Sequence, residues 1–119
     1  MNHFALDRRT CNGVTLLDIR GDLDIYTSRD LCHEFDDILE IPQDTLLNFS
    51  STDYIDSTGL SVLIKYRARL HKMGKRLGIC SPHENVLRIL KITRLYEFFS
   101  VFDNEEEGLD SLSCGFQHN

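Results

Sequence analysis

The sequence predicts one α/β domain with a mostly parallel central sheet of about five strands, opened by an N-terminal antiparallel hairpin and accompanied by about four helices. Three observations predict it. Short β-type runs at 14–19, 45–49 and 77–80 alternate with longer stretches whose apolar residues recur at helical spacing. Asn12-Gly13 lies between the first two β-type segments, and both residues tolerate positive φ, which marks a tight hairpin. The chain has 119 residues, 41% of them hydrophobic and 27% charged, a balance that suits a single core. No internal repeat or low-complexity linker divides it. The domain is expected over 1–112, with 113–119 as a flexible C-terminal tail.

In chain order, Phe4 and Leu6 form a weak alternation that predicts a short first strand. Val14 to Ile19 is the second, and Gly21-Asp22-Leu23-Asp24 breaks it into a loop. Thr27 or Ser28 is the expected cap of a first helix, with Asp30 in its first turn and Leu31, Phe35, Ile38 and Leu39 on its apolar arc. Pro42 ends it. Thr45 to Phe49 is the third strand, and its Leu46-Leu47 pair suits a sheet covered on both faces.

A second helix runs from the Asp56–Gly59 turn to about Met73. Leu60, Leu63, Ile64 and Ala68 share its apolar arc, extended by Val62, Tyr66, Leu70 and Met73, and Gly74 is placed to end it in a left-handed conformation. Leu77 to Cys80 is a fourth strand. Ser81-Pro82-His83-Glu84 reads as a capping box with proline at the first helical position, opening a third helix to about Thr93. Phe98 to Phe102 is expected as the last strand, with Tyr96 and the phenylalanines closing the core and leaving some exposed edge. Asp103 to Glu107 reads as acidic and solvated, and Leu109 and Leu112 as a short docked helix.

Composition removes several functions. A formal net charge of -6 argues against a nucleic-acid partner, which needs a basic face. No apolar run approaches the roughly 20 residues of a membrane span, so no direct membrane insertion is expected. Met1 to Asp7 has no secretory pattern, and a cytoplasmic protein is the expectation. Cys11, Cys32, Cys80 and Cys114 are too widely spaced for a zinc site, and no metal or cofactor is expected. The thiols read as reduced, with Cys32 and Cys80 packed as small hydrophobes.

The chemistry concentrates at Asp56-Ser57-Thr58-Gly59, between a strand and a helix. Asp, Ser and Thr are what a helix N-terminus wants, so a plain cap accounts for them. The same geometry presents a hydroxyl for modification, because a phosphate on Ser57 would gain from the helix dipole and the free N–H groups. It would also place about -1.5 to -2 charges beside Asp56. A serine hydrolase fares worse. There is no G-x-S-x-G elbow, and His71, on the same helix, lies roughly 20 Å away at 1.5 Å per residue. Asp22 and Asp24 read more simply as turn residues than as an acid–base pair. The stripe Ser61, Lys65, Arg69 and Lys72 reads either as a solvated face or as help for a docking partner.

Tyr54-Ile55-Asp56-Ser57-Thr58-Gly59-Leu60 resembles the phosphorylation-site signature of the STAS domain, specifically that of the bacterial anti-sigma factor antagonists. Gly21 to Asp24 followed by Thr27, and Pro82 to Leu95, resemble two further stretches of that family in the same order. The resemblance implies a STAS-like fold and a protein that is substrate and ligand, not enzyme. Its partners would be an anti-sigma factor serine kinase, which phosphorylates Ser57 (Thr58 being the fallback acceptor), and a PP2C-type serine phosphatase. It places Asp22, Asp24, Asp56, Thr58, Gly59, Ser61 and Lys65 at the partner-binding surface, with Asp24 and Asp56 flanking the serine. The alternative within the family is a non-switching subunit of a transport or other multiprotein complex. Two positions depart from the family pattern: Asn48 stands where an aspartate is usual, and Arg94 where a glycine is usual.

Overall fold

The computed structural model describes residues 4–114, and the expected tail falls outside the described residues from 115 onward. The elements follow the order β1 (Ala5–Cys11), β2 (Val14–Arg20), α1 (Thr27–Ile38), β3 (Asp44–Ser51), α2 (Ser57–Lys72), β4 (Leu77–Cys80), α3 (Glu84–Ile92), β5 (Ser100–Phe102) and α4 (Glu105–Cys114). The five strands form one sheet in sequential order, β1 antiparallel to β2 and every later pair parallel. Asn12 (φ 53°) and Gly13 (φ 79°) both adopt positive φ, so the hairpin turn is of the type that matches strand twist.

The parallel strands are buried from both sides. On one face Leu17, Ile19, Leu47, Phe49 and Ile79 meet the apolar stripes of α1, α2 and α3. On the other, Val14, Leu16, Leu46 and Cys80 meet Leu112 of α4. Alternate residues of a strand point to opposite faces, and β1 uses that alternation to tie both layers down. Arg8 pairs with Glu34 and Asp37 of α1, while its neighbour Arg9 pairs with Asp18 and with Glu105 of α4. Between the layers, the Tyr66 ring stacks on Phe35 at 3.7 Å and its hydroxyl shares a 3.0 Å hydrogen bond with Thr45. Burial pushes the Tyr66 phenol up to about 12.

Several expectations are corrected. Neither Thr27 nor Ser28 caps α1. The helix is capped from further back by Asp24, whose Oδ1 accepts the N–H groups of Tyr26 and Thr27. The capping box at Ser81–Glu84 does not form. Ser81 takes φ 53° and donates its N–H to Phe102, and His83 is the cap, its Nδ1 accepting the N–H of Asn85. Ala68 is exposed, because the buried line of α2 runs through Gly59, Leu63, Tyr66 and Leu70. Cys32 faces outward, whereas Cys80 is buried as expected. The last strand begins only at Ser100, after a buried Phe99. Asp103 to Glu107 is solvated as expected, Glu105 being half-buried, but α4 already starts there, with Asn104 accepting the N–H of Glu107 at 2.8 Å. Gly74, at φ 75°, ends α2 as expected.

Candidate functional site: the pole after β2 and β3

Parallel strands send their following loops to one end of the sheet, the usual place for a site in such folds. Here the loops after β2, β3 and β4 meet. Leu23 and Ile55 form an isolated parallel bridge, with Leu23 N–H donating to Tyr54 O at 2.9 Å and Asp56 N–H to Leu23 O at 3.0 Å. Gly21 N–H adds a bond to Ser51 O at 2.9 Å. The Asp22–Asp24 loop is thereby stitched to the segment that leads into Ser57. The third loop touches the second through His83, whose Nε2 stands 3.5 Å from Asp53 Oδ1.

Ser57 is the first residue of α2 and is exposed, while Thr58 is half-buried. Asp56 is the cap, extended at φ -93°, ψ -175°, and its Oδ1 accepts the N–H of Gly59 at 3.0 Å. The Leu60 N–H donates to Asp56 O at 3.0 Å. The N–H groups of Ser57 and Thr58 have no partner among the described residues, so two donors remain open at a positive helix end. Gly59 is required by close approach. A Cβ there would lie 2.9 Å from both Ile55 Cγ2 and Leu23 Cβ, so the helix can press against the stitched loops only without a side chain.

Asp24 sits at the same pole, but its carboxylate is turned to α1. The N–H bonds from Thr27 and Tyr26 hold it below the usual carboxylate range. The Thr27 hydroxyl completes the turn by donating to Asp22 O at 2.7 Å. Ser61 and Lys65 lie on the exposed face of α2 that starts at Ser57. Arg69, next on that stripe, is held by Asp36 of α1 at 2.8 Å, so the stripe is a helix–helix tie at that point.

Asn48 lies on the sheet face covered by α4, away from α2. It donates to Asp18 at 2.9 Å and accepts from Ser50 N–H at 3.0 Å. An aspartate there would face Asp18 carboxylate to carboxylate. Arg94, the other departure, takes φ 65°, the conformation glycine adopts without strain.

Three exposed residues at this pole were not among the expected partner-binding residues, although Tyr54 opens the signature stretch. Ile25, Tyr26 and Tyr54 are 59%, 79% and 50% exposed, respectively, large apolar groups set on the loops around Ser57. Their signal was available: apolar side chains inside segments bounded by aspartates and lacking helical or strand spacing.

A family model, that of the STAS domain, matches residues 5–108. The anti-sigma F factor antagonist of Paenibacillus polymyxa is 26% identical over 102 residues, 84% of this chain and 87% of that one. An anti-sigma factor antagonist from Mycobacterium paratuberculosis has a similar fold, with a TM-score of 0.85 at 17% identity over 92% of this chain and 94% of that one. So does the Bacillus cell fate determinant SpoIIAA in its phosphorylated form, at 0.70 and 16% over 91% and 97%.

Proposed function

The chain belongs to the STAS domain family, and from that premise we propose that it is an anti-sigma factor antagonist that switches partners in the cytoplasm through Ser57. Unphosphorylated, it docks by its site pole on an anti-sigma factor that is also a serine kinase, which then releases its sigma factor or other target. The kinase transfers the γ-phosphoryl group of ATP to Ser57: the Oγ–P bond forms, the bond to the β-phosphate oxygen breaks, and the hydroxyl proton and ADP leave. The new dianion beside Asp56 ends docking by charge repulsion and desolvation cost. A PP2C-type phosphatase hydrolyses the ester and restores binding. The chain supplies the acceptor and the docking surface, with no catalytic residue and no cofactor of its own.

One observation carries this reading: Ser57 is exposed at the first turn of α2, where two backbone N–H groups are unpartnered among the described residues and Asp56 already satisfies the third. A plain cap needs none of that exposure. The docking surface is Asp22, Asp24, Asp56, Thr58, Ser61 and Lys65, widened by the exposed Ile25, Tyr26 and Tyr54, while Gly59, expected there too, is buried and seats α2 against Leu23 and Ile55 instead. Aromatic anchors within a polar rim are the composition of protein interfaces. The curated relative, named for antagonism of an anti-sigma factor, supports the choice of partner.

The test pairs two variants with the cognate kinase. Ser57→Ala is expected to bind it and to resist phosphorylation, and Ser57→Asp to lose binding. Equal phosphorylation of Ser57→Ala and the parent would move the acceptor to Thr58 or elsewhere, which phosphopeptide mass spectrometry resolves. Retention of the kinase by Ser57→Asp at parental affinity would remove the switch.

A further inference from the structure

The acidity of the chain hides a segregation of charge. Residues 57–96 contain nine of the 13 Lys and Arg but one of the 19 Asp and Glu, Glu84. The segment is α2, β4, α3 and the turn that follows, and within it Arg69 and Arg76 have carboxylate partners in Asp36 and Asp44. Of the four arginines elsewhere, Arg8, Arg9 and Arg20 have carboxylate partners and Arg29 has none among the described residues. Arg88, Lys91 and Arg94 of the α3 side form no salt bridge among the described residues and are exposed.

These cations surround apolar groups. Ile92, at the end of α3, is 71% exposed, and Tyr96 is 36% exposed with the Lys91 ammonium 5.3 Å from its ring. Lys91, Arg94, Tyr96 and Glu97 line an open hollow of about 350 Å³. Arg94 occupies it from a left-handed backbone position, φ 65°, which costs a residue with a Cβ and favours glycine. The patch also lies away from Ser57. Helix α3 begins after β4, at the site pole, and Ile92 closes its far end.

We propose that this patch is a second docking surface, independent of Ser57, for an acidic segment of a partner protein that inserts an apolar residue beside Ile92 and Tyr96. The occupant must bring carboxylates to Arg88, Lys91 and Arg94, because the chain forms no salt bridge to them among the described residues, with only Glu97 beside the hollow and Glu84 one turn before Arg88. A long polyanion or an anionic bilayer fits less well, since the rest of the chain repels it and Ile92 and Tyr96 interrupt the row of cations. With two such surfaces the protein joins the acidic partner to whatever occupies its site pole.

The experiment selects short random peptides displayed on phage against the intact chain, and measures binding of the enriched peptides by fluorescence anisotropy. Enrichment of Asp and Glu around one apolar residue is expected, with affinity falling as salt rises. Ile92→Ser and Arg94→Gly should each weaken binding about tenfold. Ser57→Asp, remote from the patch, should change it less than about twofold. Arg94→Gly is the informative variant: it relieves the backbone and raises the melting temperature while binding falls, so a folding defect cannot explain the loss. No acidic enrichment, insensitivity to both patch variants, or loss with Ser57→Asp would each overturn the proposal. So would transfer of the variants' effect to self-association in sedimentation velocity, or to pelleting with phosphatidylglycerol vesicles, which would assign the patch to a second copy or to a membrane.

Discussion

Two helices start at the same pole, each behind an aspartate, and their starts differ. At α1, Asp24 takes the N–H groups of Tyr26 and Thr27, its carbonyl takes that of Ser28, and the Thr27 hydroxyl is spent on Asp22. At α2, Asp56 takes the N–H of Gly59 and, by its carbonyl, that of Leu60, leaving those of Ser57 and Thr58 open among the described residues. The first two N–H groups of α1 are thus occupied, whereas the first two of α2 are left open. An aspartate before a helix therefore does not announce function; what matters is whether it leaves the first donors of the helix open.

The comparison can be broken most severely at Gly59. Gly59→Val must push its side chain into Ile55 and Leu23, and is expected to cost about 3 kcal/mol in urea unfolding, the upper part of the range for overpacking. It should also free the Asp22–Asp24 loop, seen as faster amide exchange at Leu23 and Asp56. A cost near zero would mean that the two loops are not held by that contact.

The next test separates the two caps. Asp56→Ala removes one side-chain bond and should cost about 1 kcal/mol. Asp24→Ala removes bonds to two N–H groups and should lower the urea midpoint further. The contribution of Asp24 also depends on pH. Its native carboxyl lies below the ordinary 3.8, so the stabilisation is present above that value and is lost as pH falls through the native pKa. Acid titration of stability should therefore be flatter in Asp24→Asn than in the parent.

A gentler test adds the phosphate itself. Modification of Ser57 should shift the amide resonances of Ser57 and Thr58 strongly, through new N–H bonds to phosphate oxygens, and leave those of Tyr26 and Thr27 nearly in place. Equal shifts at both helices would show that the α1 start is not closed. The smallest effect belongs to the other end of the molecule, where Arg94→Gly should raise stability by about 0.5–1 kcal/mol in the same urea assay.

These contrasts also show what sequence can reveal. The turn at Asn12-Gly13, the end of α2 at Gly74 and the cap at Asp56 were legible because each rests on the preference of one or two residues for a local conformation. The caps of α1 and α3 were not. Thr27 has the chemistry of a cap, but the loop reaches the helix through Asp24, and Thr27 becomes its ligand. Ser81 has the same chemistry, but its N–H is drawn to Phe102 across the sheet, a partner that only the fold supplies. For the acidic run at Glu105 the decisive partner was Arg9, at the far end of the chain. At the candidate site, the Gly21–Asp24 stretch and the Ser57 turn could be recognised singly. Their stitching through Leu23, and the exposure of Ile25, Tyr26 and Tyr54, depend on register between distant segments.

That stitching has a consequence for time as well as for shape. Leu23 is fixed between Tyr54 and Asp56, and Gly59 is seated against both loops, so the surface around Ser57 is formed before any partner arrives. Docking as proposed would then pay little ordering entropy, and the complex could rest on modest contacts. Such a complex is within reach of a single added dianion. On the proposed function, neither addition nor removal of the phosphate would have to wait for a loop to reorganise, and the pace of the switch would pass to the two enzymes that write and erase it.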